Sequence, residues 1–117
     1  MHTPADKEEE CLVVYVTAPD KASAESMGEI LVRERLVACA NIVDAVTSLY
    51  WWGDKMERAN ECVCLLKTTR SRYADLETRI RQIHPYDVPC ITAMSITLGN
   101  PEYLDWVRAA TKPLGAA

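Results

Sequence analysis

Between Arg81 and Ile91 the chain reads RQIHPYDVPCI, which places an imidazole (His84), a phenol (Tyr86), a carboxylate (Asp87) and a thiol (Cys90) on one short segment punctuated by two prolines. A neutral imidazole is the commonest transition-metal ligand and titrates near neutral pH. The same ring at a helix end can instead satisfy the last carbonyls and interact with the helix dipole. Tyr86 can hydrogen-bond a carboxylate or phosphate of a ligand, or pack over the end of a sheet. Asp87 reads as a turn residue, since Asp stabilises turns through its own backbone. The other histidine, His2, stands in a polar arm, so any histidine chemistry falls to His84.

Further groups that could do chemistry are spread along the chain. Lys67 ends the apolar run LLKTT; it can hold an anion as a point charge or snorkel to solvent. With Glu61 and Tyr86 expected nearby, Lys67 and Tyr86 are candidates for a polar ligand cleft. Cys62 and Cys64 stand two apart, hence on one face of a strand, where they could hold Cu(I) as soft thiolates or pack as small buried hydrophobes. Cys39 has the same two readings, and Cys90 shares its segment with His84. The five cysteines are odd in number and contain no CxxC pair, which points to reduced thiols rather than a disulfide framework.

Enzyme chemistry finds little support. The loop TAPDK after the first expected strand has neither the glycines nor the arginine that a ferredoxin-like acyl-phosphate hydrolase needs. No GxGxxG, P-loop, HExxH or GxSxG is present. A Cys–His nucleophile pair is the one catalytic reading left, and no residue is singled out as the partner of His84. The expectation is a binding protein without catalysis.

The elements that must position these groups follow from periodicity. CLVVYVTA (11–18) is a continuous apolar, β-branched run, the mark of a strand covered on both faces. Asp20 is a candidate N-cap for an amphipathic helix over 21–36, with Ala24, Met27, Ile30, Leu31 and Leu36 on one stripe. Runs at 39–52 and 55–69 flank Gly53-Asp54, a two-residue hairpin signal. Both arms exceed the usual ~5–6 residues, so the tip should project beyond the sheet and the arms should bend or bulge. Ser71 is a candidate cap for a helix over 72–84 with the stripe Tyr73, Leu76, Ile80, Ile83, and with the pairs Asp75–Arg79 and Glu77–Arg81 on its wet side. Pro85 ends that helix. A strand is expected over 90–98, then a short helix over 101–111 opened by Asn100 and Pro101.

The order β-α-β-β-α-β plus a terminal helix is that of the split βαβ, ferredoxin-like α+β sandwich. Two helices cover one face of such a sheet. Yet strict alternation along the hairpin puts Val43, Ala45, Leu49 and Trp51 on one side, and Ile42, Val46, Tyr50 and Trp52 on the other. A sheet apolar on both faces wants a second cover, and the simplest is another copy of itself. Tyr50, Trp51 and Trp52 are accordingly the expected interface residues.

Totals set the outer limits. At 117 residues the chain is one domain, read as an arm over 1–10, a folded unit over 11–112 and a loose tail over 113–117. A net charge of −4 and a pI near 5.1, with scattered Lys and Arg, argue against nucleic-acid binding. No apolar run approaches the ~18–20 residues of a membrane span. MHTPADKEEE lacks the apolar h-region of a secretory signal, so a cytoplasmic location is expected.

Six stretches carry a family resemblance: VTAPD (16–20), RLVACANI (35–42), TSLYWWGDKME (47–57), LLKTT (65–69), HPYDVP (84–89) and YLDWV (103–107). In this order and spacing the chain resembles the CutA family of divalent-cation tolerance proteins from about Val13 to Val107. The resemblance implies a homotrimer whose long hairpin reaches onto a neighbour. It also implies a cytosolic protein tied to tolerance of copper and other divalent cations, without established catalysis. It places copper, Cu(II) or another divalent cation bound weakly, near an intersubunit cleft held by a histidine, a cysteine and an acidic residue. His84 matches the histidine and Glu61 the acidic position. Val16 stands where some relatives carry cysteine, and Cys90 where HPYxxPE would place glutamate, which leaves His84, Glu61 and Cys90 as the metal candidates. A second reading is a trimeric sensor, similar in architecture to the PII signalling proteins, that takes a small anionic metabolite in its clefts.

Overall fold

A computed structural model describes residues 9–113. Four strands, β1 (Cys11–Ala18), β2 (Cys39–Trp52), β3 (Lys55–Thr69) and β4 (Ile91–Ser95), form one antiparallel sheet in the order β2-β3-β1-β4. Helices α1 (Lys21–Arg33) and α2 (Arg70–Ile83) join β1 to β2 and β3 to β4, and α3 (Pro101–Ala110) follows the last strand. This is the ferredoxin-like α+β sandwich the periodicity predicts. Most of the N-terminal arm and of the tail lies outside the described residues; the arm's last two residues, Glu9 and Glu10, lie inside.

The core forms where β1 and β3 meet the helices. Val14, Val16, Cys62, Cys64 and Leu66 bury against Ala24, Met27 and Leu31 of α1 and Leu76 and Ile80 of α2, each large aliphatic contributing about 1.5–3 kcal/mol. The Asp20 carboxylate caps α1, accepting from Ser23 N–H at 2.7 Å. That helix stops at Arg33, short of the expected 36, because Arg35 turns left-handed at φ 59°. Glu34, at its end, takes both Nε and Nη2 of Arg79 at 2.9 Å, so Arg79 bridges the two helices and Asp75 pairs instead with Arg72. The Glu77–Arg81 pair forms as expected.

Two boundaries differ from expectation for local reasons. α2 begins at Arg70 behind Thr69, and Ser71 is inside the helix with its hydroxyl on Glu9 rather than capping. β4 ends at Ser95 because its partner β1 begins at Cys11; Leu12 pairs with Ser95, and Ile96 N–H donates to the Cys11 carbonyl just beyond.

The hairpin contains the largest departure. Val43 pairs with Val63 but Val46 pairs with Glu61, so one extra residue is inserted in β2, with Ala45 at φ 62°. This bulge inverts the alternation beyond it. Val43, Val46, Tyr50 and Trp52 therefore share one face, and Ile42, Leu49 and Trp51 the other. The Asp44 side chain fixes the kink by accepting from Ala45 N–H at 2.8 Å and from the Cys62 thiol at 3.1 Å.

On the face away from α1 and α2, α3 covers only one end, where Val107 buries with Cys11 and Ala38. Val43 and Met94 remain exposed elsewhere on that face, and at the tip Trp51 and Trp52 are each 73% exposed.

Candidate functional site

The segment after α2 crosses the end of the sheet, and His84 anchors it. The imidazole is 8% exposed. Its Nε2 is 2.7 Å from the Thr17 carbonyl, which can only accept, so Nε2 carries the proton. Nδ1 then accepts from the Tyr86 N–H at 3.0 Å. Both ring nitrogens are thus engaged in holding the loop to β1. Pro85 breaks α2, and this clamp sets the direction in which the chain leaves it.

Tyr86 is the group so directed. Its ring lies 4.8 Å from that of His84, and its hydroxyl donates to Glu61 Oε2 at 2.8 Å. Burial, with the Glu61 hydrogen bond second, pushes the phenol up to about 12. Glu61 is on β3 opposite Val46, immediately past the bulge; without the extra residue, β2 would present its other face here.

Around this pair lies a cleft of about 890 Å³, lined by Thr17, Tyr50, Trp51, Trp52, Glu57 and Glu61 from the strands and by Pro85 to Val88 and Cys90 from the loop. Its size falls within the ~300–1,000 Å³ of small-molecule sites. Glu57 stands opposite Tyr50 across the hairpin. The lining carries three carboxylates (Glu57, Glu61, Asp87) and one exposed thiol (Cys90), and no lysine or arginine.

Of the residues singled out by sequence, the fold brings Tyr50, Trp51, Trp52, Glu61, Tyr86 and Cys90 to this cleft. His84 stands behind it. Lys67 does not line it: six residues along β3 from Glu61, about 20 Å away, its ammonium donates to Asn41. The expected grouping of Lys67 with Glu61 and Tyr86 is therefore not made within one chain. Cys62 and Cys64 do share a strand face, but both are buried; the Asp44 hydrogen bond raises the Cys62 thiol, and burial pushes Cys64 to about 11. Cys39 is 3.5 Å from the Tyr103 hydroxyl. All five thiols are free. Glu57 escaped the sequence reading, although counting back from the Gly53 turn pairs it with Tyr50. The Thr17 carbonyl carried no side-chain signal at all.

Among the described residues, no three His, Cys, Asp or Glu side chains are grouped closely enough to hold a metal ion. No helix there is long and apolar enough to cross a membrane.

A family model described as CutA1 divalent ion tolerance protein matches residues 12–110. The divalent-cation tolerance protein CutA of Thermus thermophilus is 43% identical over 99 residues, 85% of this chain and 96% of its own. The solved structure of the Thermus protein superposes with a TM-score of 0.85 at 42% identity, covering 87% of this chain and 99% of that one. Protein CutA 1, chloroplastic, of rice is 37% identical over 86% of this chain and 57% of its own length. A structure described as the periplasmic divalent cation tolerance protein CutA of Archaeoglobus fulgidus matches with a TM-score of 0.84 at 33% identity, covering 87% and 99% of the two chains.

Proposed function

The chain belongs to the CutA1 divalent ion tolerance family, and from that premise we propose that it is a non-enzymatic binding protein for divalent cations, copper in particular, working as a cytoplasmic homotrimer. The observation that carries the reading is the cleft around Glu61. Its three carboxylates and one thiol, unopposed by any basic residue of the lining, favour a cation over an anion by simple Coulomb attraction. Carboxylate and thiolate are donors that divalent transition metals accept.

Within one copy these donors stand apart. A complete coordination shell then calls for a second copy brought to the same cleft, and the exposed indoles at the hairpin tip supply an apolar surface for it. Glu61 and Cys90 are the proposed donors of this chain. His84 serves the site by fixing Tyr86, and Tyr86 by holding the Glu61 carboxylate in one rotamer; ligation by His84 itself would first release the Tyr86 N–H. The acidic lining disfavours the alternative of a PII-like sensor for an anionic metabolite, because Lys67, the cation such a ligand would need, stands about 20 Å along the strand.

Equilibrium dialysis with Cu(II) tests this. The wild type should take up copper and the Glu61→Gln, Cys90→Ser double variant should lose most of it. Equal uptake by both would overturn the assignment.

A further inference from the structure

We propose that Asp44 is a positioning residue for the hairpin: by pinning the bulge where it stands, it selects which β2 side chains turn toward Glu61 and toward a partner copy. The selection is needed because β2 beyond the bulge is apolar on both faces. Val46, Tyr50 and Trp52 lie on one face, Leu49 and Trp51 on the other, and all of these but Val46 are exposed. Register is strongly specified only where burial favours one face over the other. If the extra residue moved to the tip, β2 would slide by one against β3, bringing Ala45 opposite Glu61 and Leu49 opposite Glu57. Tyr50 and Trp52 would then leave that face. The hairpin would close through the three residues Trp52-Gly53-Asp54 instead of the observed two-residue turn with Gly53 at φ 64°, and both loop lengths are common. Neither the apolar pattern nor the turn decides between the two registers.

Backbone preference argues against the observed place of the bulge, since Ala45 takes φ 62°, a conformation that favours glycine. Asp44 offsets this. Its Oδ1 accepts from the Ala45 N–H at 2.8 Å and from the Cys62 thiol at 3.1 Å. The first bond closes the bulge on itself. The second ties it to β3 at a residue that is 1% exposed and packed in the core, so the anchor cannot follow a sliding strand. Both partners belong to the same chain, and the pin therefore acts whether the hairpin is free or seated on another copy. No ligand enters the argument, which makes it independent of the divalent-cation reading.

The test is the pattern of cross-strand backbone NOEs in the isotope-labelled, intact protein. In the wild type Tyr50 should contact Glu57 in a single set of signals. Asp44→Ala removes both hydrogen bonds and should shift the balance of registers by about 10- to 100-fold toward the slid one, seen as a second set in which Leu49 contacts Glu57. Asp44→Asn, which keeps an acceptor oxygen, should hold the native set, and Ala45→Gly added to Asp44→Ala should restore it. A merely structural loss would lower stability without exchanging one cross-strand partner for another. Asp44→Ala showing the Tyr50–Glu57 contact alone would overturn the proposal. Should Asp44→Ala fail to fold, the double variant decides: a native register supports the proposal, and an unfolded or slid chain overturns it.

Discussion

The hydroxyl of Tyr86 donates to the carboxylate of Glu61 across 2.8 Å, joining the loop after α2 to the return arm of the long hairpin. The His84 clamp on Thr17 and Tyr86 sets the loop side of this contact; on the strand side Glu61 shares its face with Val63 by plain alternation along β3, and the bulge in β2 turns Val46 and Tyr50 to that same face.

The phenol reports on that contact. Tyr86 should ionise near pH 12, later than an ordinary tyrosine, in a spectrophotometric titration. Glu61→Gln should lower the value while leaving the contribution of burial, the larger cause, in place. Since the raised value means that the folded state holds the proton more tightly, the associated stability is complete below pH about 10 and falls as pH rises toward 12. His84→Ala should move Tyr86 in the same direction as Glu61→Gln by loosening the loop. An unchanged Tyr86 titration in both variants would contradict the arrangement.

The bulge stores strain that one substitution can remove. Ala45 occupies the left-handed region at φ 62°, where a side chain costs about 1–2 kcal/mol and glycine far less. Ala45→Gly should therefore raise stability by about 0.5–1 kcal/mol after the entropy of the unfolded chain is counted, measured by denaturant unfolding. Destabilisation would show that the bulge is not held as described.

Asp44 gives the bulge a pH dependence. Its carboxyl is held below the usual range by the Cys62 thiol first and the Ala45 N–H second. A depressed carboxyl contributes stability above its unfolded value, lost as pH falls through its folded one. Asp44→Asn should make the protein less stable at neutral pH and flatten the acid limb of its stability curve. A parallel curve would remove Asp44 from that role.

Thiol reactivity should follow exposure. Cys90 is exposed, Cys39 intermediate, and Cys11, Cys62 and Cys64 are buried. An aromatic disulfide reagent at neutral pH should modify Cys90 first and the buried three only on unfolding, with Cys64, pushed up to about 11, among the last. Rapid modification of Cys64 in the native protein would contradict the core.

Assembly is a matter of mass. Light scattering at micromolar concentration should report three copies for the wild type, and Trp51→Ala with Trp52→Ala should shift the population toward single chains while near-ultraviolet spectra keep the remaining fold. A wild type of one copy would contradict the proposed assembly.

Much of this was legible in the chain. The continuous β-branched run at 11–18, the Gly53 turn and the helical stripe through Leu76 and Ile80 each point to one kind of element, and their order specifies the sandwich. HPYDVP marks the segment that proves to line the cleft. What could not be read is the bulge, because strict alternation says nothing of an inserted residue and Asp44-Ala45 resembles any polar-small pair. Once it is missed, every β2 side chain beyond it is assigned to the wrong face, Tyr50 and Trp51 included. Nor does sequence reveal that both nitrogens of His84 are taken, since one partner is a backbone carbonyl far along the chain. Lys67 misled because separation along a strand, about 3.3 Å per residue, outweighs nearness in sequence.

The most direct test of the central claim is anomalous scattering from crystals soaked in Cu(II). The account predicts a copper peak in the cleft against Glu61, with Cys90 in reach and the His84–Thr17 and His84–Tyr86 hydrogen bonds intact. Copper bound to His84 with its loop released, or peaks only at sites remote from Glu61, would contradict it.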